Sequence, residues 1–291
     1  MIEAYLIHLL ILIGIYSILA VSLNLALGNT GLMNMGHIAF FGIGAYTSVI
    51  LTKDAGLPFI LAFLIAGLFT SVWGFVLVYA TKKLRGDYLA LATLGFSFVI
   101  YSLMLNWTAL TRGPLGIPGI SKPCFFGICI ADNTGYLIFV VIVAIISIGF
   151  MYFLAKSNFG RLLSATRDDE VGLRALGKNT FKLKSKVMII SAFFAGIAGS
   201  LFAHYISYID PSSFMLTEVI LIFTIVIVGG IASIWGSVVS AAIIMIVPEL
   251  LRFLNIPSSI LGPARQIIYA LILLIIILWR PKGLFGRVDL E

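Results

Sequence analysis

Apolar residues run on for spanning or near-spanning distances at about 4–27, 34–50, 58–80, 88–106, 134–155, 187–205, 216–231, 234–251 and 265–279. A helix needs about 20 mostly apolar residues to cross the hydrocarbon of a bilayer. The sequence therefore predicts an all-α polytopic membrane protein of eight or nine transmembrane or part-spanning helices. The second, seventh and last runs are short for a full crossing. Interruptions at Gly28–Asn34 and Gly229–Ser233 predict broken or re-entrant helices, which a membrane tolerates only where protein or a watery path surrounds them. Composition agrees, with 61% hydrophobic and 11% charged residues. Soluble domains hold roughly 45–50% and about 25%, and so large an apolar surplus does not fit inside one aqueous core. No polar linker separates a soluble unit, so residues 1–291 read as a single membrane domain. No cleavable secretory signal is expected at the start, which carries Glu3, lacks a basic leader and is long enough to cross.

Basic residues set the orientation. Lys82, Lys83 and Arg85 follow the third run, Lys156 and Arg161 the fifth, and Arg280, Lys282 and Arg287 the last. Nine spans place all three clusters on one side, which the positive-inside rule makes cytoplasmic. The N-terminus is then outside and the C-terminus cytoplasmic. The net charge of +7 reads as anchoring beside anionic lipid, and no nucleic-acid partner is implied. Cys124 and Cys129 share one outer loop and read as two unremarkable thiols, a short disulfide being the alternative.

The long polar segment, 156–186, is predicted to be a cytoplasmic loop. Within it, Asp168–Leu176 has helical composition. The acids Asp168, Asp169 and Glu170 stand near its start, Arg174 near its end, and Gly177 is placed to cap it. Gly172–Asn179 imitates a phosphate loop, but has Asn for Ser or Thr and helix formers where bare backbone is needed. ATP binding by this chain is set aside. The loop is either a solvated connector or a short helix that docks on a soluble partner.

Within the apolar runs, Glu218, Glu249, His37 and His204 are the polar groups of note. Ionisable groups in membranes are functional candidates by default, although a neutral histidine also serves as a bond between helices. Small residues recur at Gly36, Gly42 and Gly44, and again at Gly196 and Gly199. With Asn24, His37, Gly95, Gly229 and Gly230, these are candidates for a solute pathway or for close helix packing, and packing alone accounts for the pattern. No H-E-x-x-H, metal-ligand cluster or G-x-S-x-G is present, so no catalytic, cofactor or metal residue is assigned.

Seven stretches then carry a resemblance over nearly the whole chain: SLNLALGNTGLMNMGHIAFFGIGAY (Ser22–Tyr46), LRGDYLALATLGF (Leu84–Phe96), TRGPLGIPGI (Thr111–Ile120), FGRLLSATRDDEVGLRALG (Phe159–Gly177), AGIAGSLFAHYISYIDPSSF (Ala195–Phe214), IVGGIASIWG (Ile227–Gly236) and WRPKGLFG (Trp279–Gly286). The chain resembles the permease subunits of ABC importers for branched-chain amino acids, specifically the second of the two related permeases in such systems. Urea and short-amide permeases share the family, and an ion-coupled carrier or channel is the alternative of another class. The resemblance implies a bacterial or archaeal cytoplasmic membrane, a second permease, two ATP-binding subunits and an extracytoplasmic solute-binding protein. It places ATP and Mg in the partners and none in this chain. It also assigns ATPase coupling to Arg167, Glu170, Arg174, Ala175, Leu176 and Gly177. The chain departs from the family pattern at Ser97-Phe98, where an acid is common, at Arg112 and Leu115, and at Ala232 and Ser237, within and just after the glycine-rich IVGGIASIWG stretch.

Overall fold

All nine apolar runs become helices in the computed structural model, which describes residues 2–125, 128–130, 132–249, 258–280 and 282–286. They are α1 (Ile2–Thr30), α2 (His37–Lys53), α3 (Phe59–Ala80), α4 (Gly86–Asn106), α6 (Asn133–Lys156), α9 (Thr180–Ile206), α10 (Leu216–Gly229), α11 (Ile234–Ile246) and α12 (Ser258–Trp279). Three shorter helices lie outside the apolar runs: α5 (Thr108–Thr111), α7 (Asn158–Asp168) and α8 (Glu170–Ala175). Seven of the described helices are long and apolar enough to cross a membrane. The chain is thus an all-α polytopic membrane protein. The last run is not short, because α12 continues towards its N-terminus through Pro263 and reaches 22 residues. The short ones are α2, of 17 residues, α10, of 14, as expected of the seventh run, and α11, of 13. Residues 250 and 251 of the eighth run lie outside the described residues.

The core forms where α9 packs between α1, α2 and α3. Ile11, Ile15, Ile18 and Leu19 of α1 are fully buried there with Phe40, Phe41, Val187 and Leu201. By contrast, α12 turns most of its apolar residues outward, as a helix against lipid does.

Both predicted interruptions are real, and each is satisfied by side chains. Between α1 and α2 the backbone leaves the helix at Gly31, whose φ is +68. Asn34 is fully buried and accepts from the Gly36 amide at 3.0 Å. The Met35 amide donates to Thr93 Oγ1 at 3.0 Å, and Ser97 Oγ donates to the Met35 carbonyl at 3.2 Å. Thus α4 supplies the polar groups that non-helical backbone needs at this depth. Ser97, a departure from the family pattern, has a structural task.

The bundle has two distinct ends. At one, the C-terminus of α1 meets α7 and the α10–α11 turn, residues 282–286 pack on Gly230, and Arg85, Lys156 and Arg167 lie there, while Arg287 falls outside the described residues. At the other, β1 (Ile117–Pro118) pairs with β4 (Tyr208–Ile209), and β2 (Cys124–Phe125) pairs antiparallel with β3 (Ile128–Cys129). Cys124 is disulfide-bonded, and Cys129 stands across the strand pair from it in a chain of two cysteines. This corrects the expectation of two free thiols. A loop sequence does not reveal that a hairpin will set its two cysteines in register.

Candidate functional site

The polar segment after α6 folds as two helices, not one. Ser157 caps α7, its Oγ accepting from the Gly160 amide at 3.3 Å. A Cβ at Gly160 would sit 1.9 Å from the Ala155 carbonyl, so glycine alone permits the sharp turn from α6 into α7. Leu163 and Thr166 are buried on the inner face of α7. Arg167 follows at its end. The guanidinium donates to the Gly28 carbonyl at 2.6 Å and pairs with Asp168 at 2.8 Å. A cation thereby caps the C-terminal end of α1, where carbonyls lack helical partners and the dipole is negative.

Asp168 ends α7 and does not begin the next helix. The N-cap of α8 is Asp169, whose Oδ1 accepts from the Gly172 amide at 2.9 Å. At the far end the Gly177 amide donates to the Arg174 carbonyl and the Lys178 amide to the Leu173 carbonyl, at 2.9 and 3.2 Å. This is a Schellman cap, and Gly177, at φ +75, supplies the left-handed residue it requires. The phosphate-loop imitation is this short helix with its cap. It directly follows the helix α7, where a phosphate loop follows a strand.

Glu170 is the centre of the region, with a side chain only 14% exposed. Its carboxylate accepts from Arg174 Nη2 at 2.5 Å, Lys184 Nζ at 2.9 Å and Thr180 Oγ1 at 3.0 Å, and Arg85 Nε lies at 3.9 Å. Burial pushes the carboxyl up, but hydrogen bonds from Lys184 and Thr180 with the charges of Lys184 and Arg174 outweigh it and hold the group below its ordinary value. Glu170 therefore ties α8 to the start of α9 and to the turn before α4. Leu173 packs inward, whereas Val171 and Leu176 point out at 68% and 77% exposure. Ala175, Gly177 and Arg174 are also exposed. The six proposed coupling residues thus divide. Arg167 and Glu170 anchor the helix, while Ala175, Leu176 and Gly177 are presented by it and Arg174 does both. Arg85, Thr180 and Lys184 belong to the cluster but were missed. The i,i+4 spacing of Glu170 and Arg174 is legible in sequence, whereas the other three arrive through tertiary folding.

Most of the remaining candidates are packing positions. A Cβ on Gly44 would lie 2.3 Å from the Gly196 Cα, and one on Gly199 would lie 2.0 Å from the Phe41 carbonyl. Gly36 abuts the Thr93 carbonyl, Gly42 meets Met104 and Phe214, Gly229 packs on Gly236, and Gly230 packs on Gly286. Gly95 alone among these candidates has open space where a Cβ would stand. Asn24 is a staple between helices: Nδ2 donates to the Gly230 and Ser233 carbonyls and to Ser237 Oγ, and Oδ1 accepts from the Ala232 amide at 2.9 Å. It holds the α10–α11 turn against α1. Ser237, the departure just after the IVGGIASIWG stretch, is one of its partners. His37 bonds Ser22 of α1 at 2.8 Å, and His204 bonds Ser48 of α2 at 3.0 Å, both between helices. Glu218 accepts from Tyr16 at 2.8 Å, and Glu249 pairs with Arg265 at 2.6 Å.

The model of the family described as "Branched-chain amino acid transport system / permease component" matches residues 5–278. The chain belongs to that family. The permease is 34% identical to the high-affinity branched-chain amino acid transport system permease protein LivM of Escherichia coli K12, over 93% of this chain and 67% of that one. It is 26% identical to the probable branched-chain amino acid transport permease protein LivM of Methanocaldococcus jannaschii, over 95% and 92%. Its identity to the permease protein LivH of E. coli K12 is 24%, over 95% and 92%. Comparison with solved structures found no match.

Proposed function

We propose that this permease is one subunit of an ATP-driven importer that moves branched-chain amino acids by alternating access. It acts as one membrane domain in a cytoplasmic membrane, with its basic end cytoplasmic, its N-terminus outside and its C-terminus inside. A related permease completes the pore. Similarity to both LivM and LivH of one organism supports such a pairing, with this chain nearer LivM. Two ATP-binding subunits dock on α8 and carry ATP and Mg, none of which this chain holds. A solute-binding protein delivers substrate at the hairpin end.

The observation that carries this reading is a short helix capped at both ends, anchored by Glu170 to α9 and the root of α4, with Val171 and Leu176 turned outward. A floppy connector has no use for that construction. A coupling lever does, because displacement of α8 is passed through Glu170 to the spans. Leu176→Asp is expected to leave folding unchanged, since exposed positions shift stability by only about 0.5 kcal/mol. It should lower recovery of ATP-binding subunits by about tenfold, because a charge in an apolar docking contact costs more than about 1.4 kcal/mol. Co-purification followed by leucine-stimulated ATPase measurement in proteoliposomes is the check. Unchanged assembly and stimulation in the variant would refute the docking assignment.

A further inference from the structure

Lys156, the last residue of α6, makes no ion pair among the described residues. Its Nζ sits 4.4 Å from the centre of the Tyr152 ring, and Tyr152 meets Trp235 edge to face at 6.3 Å. Lys156 lines a cavity of about 230 Å³ with Asn29, Ser164, Arg167 and Ser233, at the basic end of the bundle. Arg167 is already balanced by Asp168 at 2.8 Å, so the recess keeps one uncompensated positive charge among hydrogen-bonding groups. Tyr152 and Trp235 also border a second cavity, of about 570 Å³, between α1, α6 and α11. That one is apolar, with Gly14, Ile145, Gly149 and Val238 in its walls. The cationic recess and the apolar groove therefore share two amphipathic rings in their walls. Tyr and Trp favour the depth where headgroup meets hydrocarbon, and basic recesses between spans suit anionic headgroups.

We propose that this adjoining pair of cavities is a binding site for one anionic phospholipid, its phosphate on Lys156 and an acyl chain between α1, α6 and α11. Charge complementarity selects this occupant over a partner's apolar helix, which would fill the groove but leave Lys156 facing it unpaired. The site is independent of the transported solute. Because Ser164 and Arg167 belong to α7, a bound headgroup would also brace the segment leading to α8.

The test uses the full chain, purified in detergent with whatever subunits accompany it, and native mass spectrometry after addition of palmitoyl-oleoyl phosphatidylglycerol or phosphatidylcholine. Phosphatidylglycerol is expected to be retained about fivefold better, the discrimination one interfacial cation supplies. Lys156→Gln should abolish that preference, Lys156→Arg should keep it, and Lys83→Gln, elsewhere on the same end, should leave it intact. Gly149→Leu should reduce retention of both lipids, since a side chain there enters the groove without meeting any atom within 4 Å of its Cβ. Equal retention of the two lipids, or Lys156→Gln behaving as Lys83→Gln, would overturn the proposal. So would full retention in Gly149→Leu, displacement by glycerol phosphate as effective as by the lipid, or a partner's helix seated in the groove of the assembled complex.

Discussion

The contact of α2 with α9 and the contact of α8 with α9 join helices by opposite means. At the first, Gly44 and Gly196 bring two backbones so close that a single added methyl would lie 2.3 Å from a neighbouring Cα. At the second, one carboxylate gathers Arg174, Lys184 and Thr180 within 3.0 Å. Lipid supplies no hydrophobic drive between spans, so association there rests on packing and close approach. At the water-facing end, charge replaces contact area. The packed joint rests on backbone approach, with the His204–Ser48 bond beside it. The ionic joint is built of partly exposed charges, and it lies on the segment proposed to dock the ATP-binding subunits.

The largest effect should come from Gly44→Leu. Neither backbone can give way, so the cost exceeds about 3 kcal/mol and folded protein should be lost. Thermal unfolding in detergent would show it, and a well-folded variant would mean that the packed joint is slack. Glu170→Gln comes next. It should keep the fold while residues 171–178 exchange amide hydrogen about tenfold faster, with transport falling in parallel, as expected for a network of partly exposed charges. If exchange there is unchanged, the anchor is not ionic.

Acid should reproduce that loss more gently. The folded Glu170 holds its proton less tightly than the ordinary value of 4.5, so its contribution is present above about that pH and fades as pH falls through the lower folded value. Hydrogen exchange of α8 between neutral pH and pH 3 checks the direction, and an α8 whose exchange is unchanged would refute it. The smallest effect belongs to Ala232→Gly. Ala232 has φ +62, where an L side chain is strained. Relief of that strain less glycine's entropy cost should stabilise by no more than about 1 kcal/mol, read as a slight rise in the melting midpoint.

The two joints were legible to different degrees. Stripes of small residues announce close approach, and the structure shows that Gly44, Gly196 and Gly199 are used for it, with Gly95 left open. Helix-forming composition and the i,i+4 pair located α8. The separate helix α7 was missed because its apolar residues are few and its start, Ser157-Asn158, has loop composition. Arg85 and Lys184 could not be assigned to Glu170, since each is brought there by a different span. The departures from the family pattern gained meaning only in three dimensions. Ser97 closes the bond set of the first break, and Ala232 stands at a left-handed position that glycine fills without strain.

The disulfide at Cys124 offers a compass. Thiols stay reduced in most cytosols and are oxidised beyond the cell surface. A bridge at the hairpin end therefore reports which face of the membrane that end occupies, by chemistry unrelated to lysine and arginine counts. A reductant that cannot cross the bilayer should reach this bridge in intact cells, while the basic clusters remain shielded from reagents of the same kind. Redox state and charge bias, two properties fixed at opposite ends of the molecule, would then have to agree on a single topology.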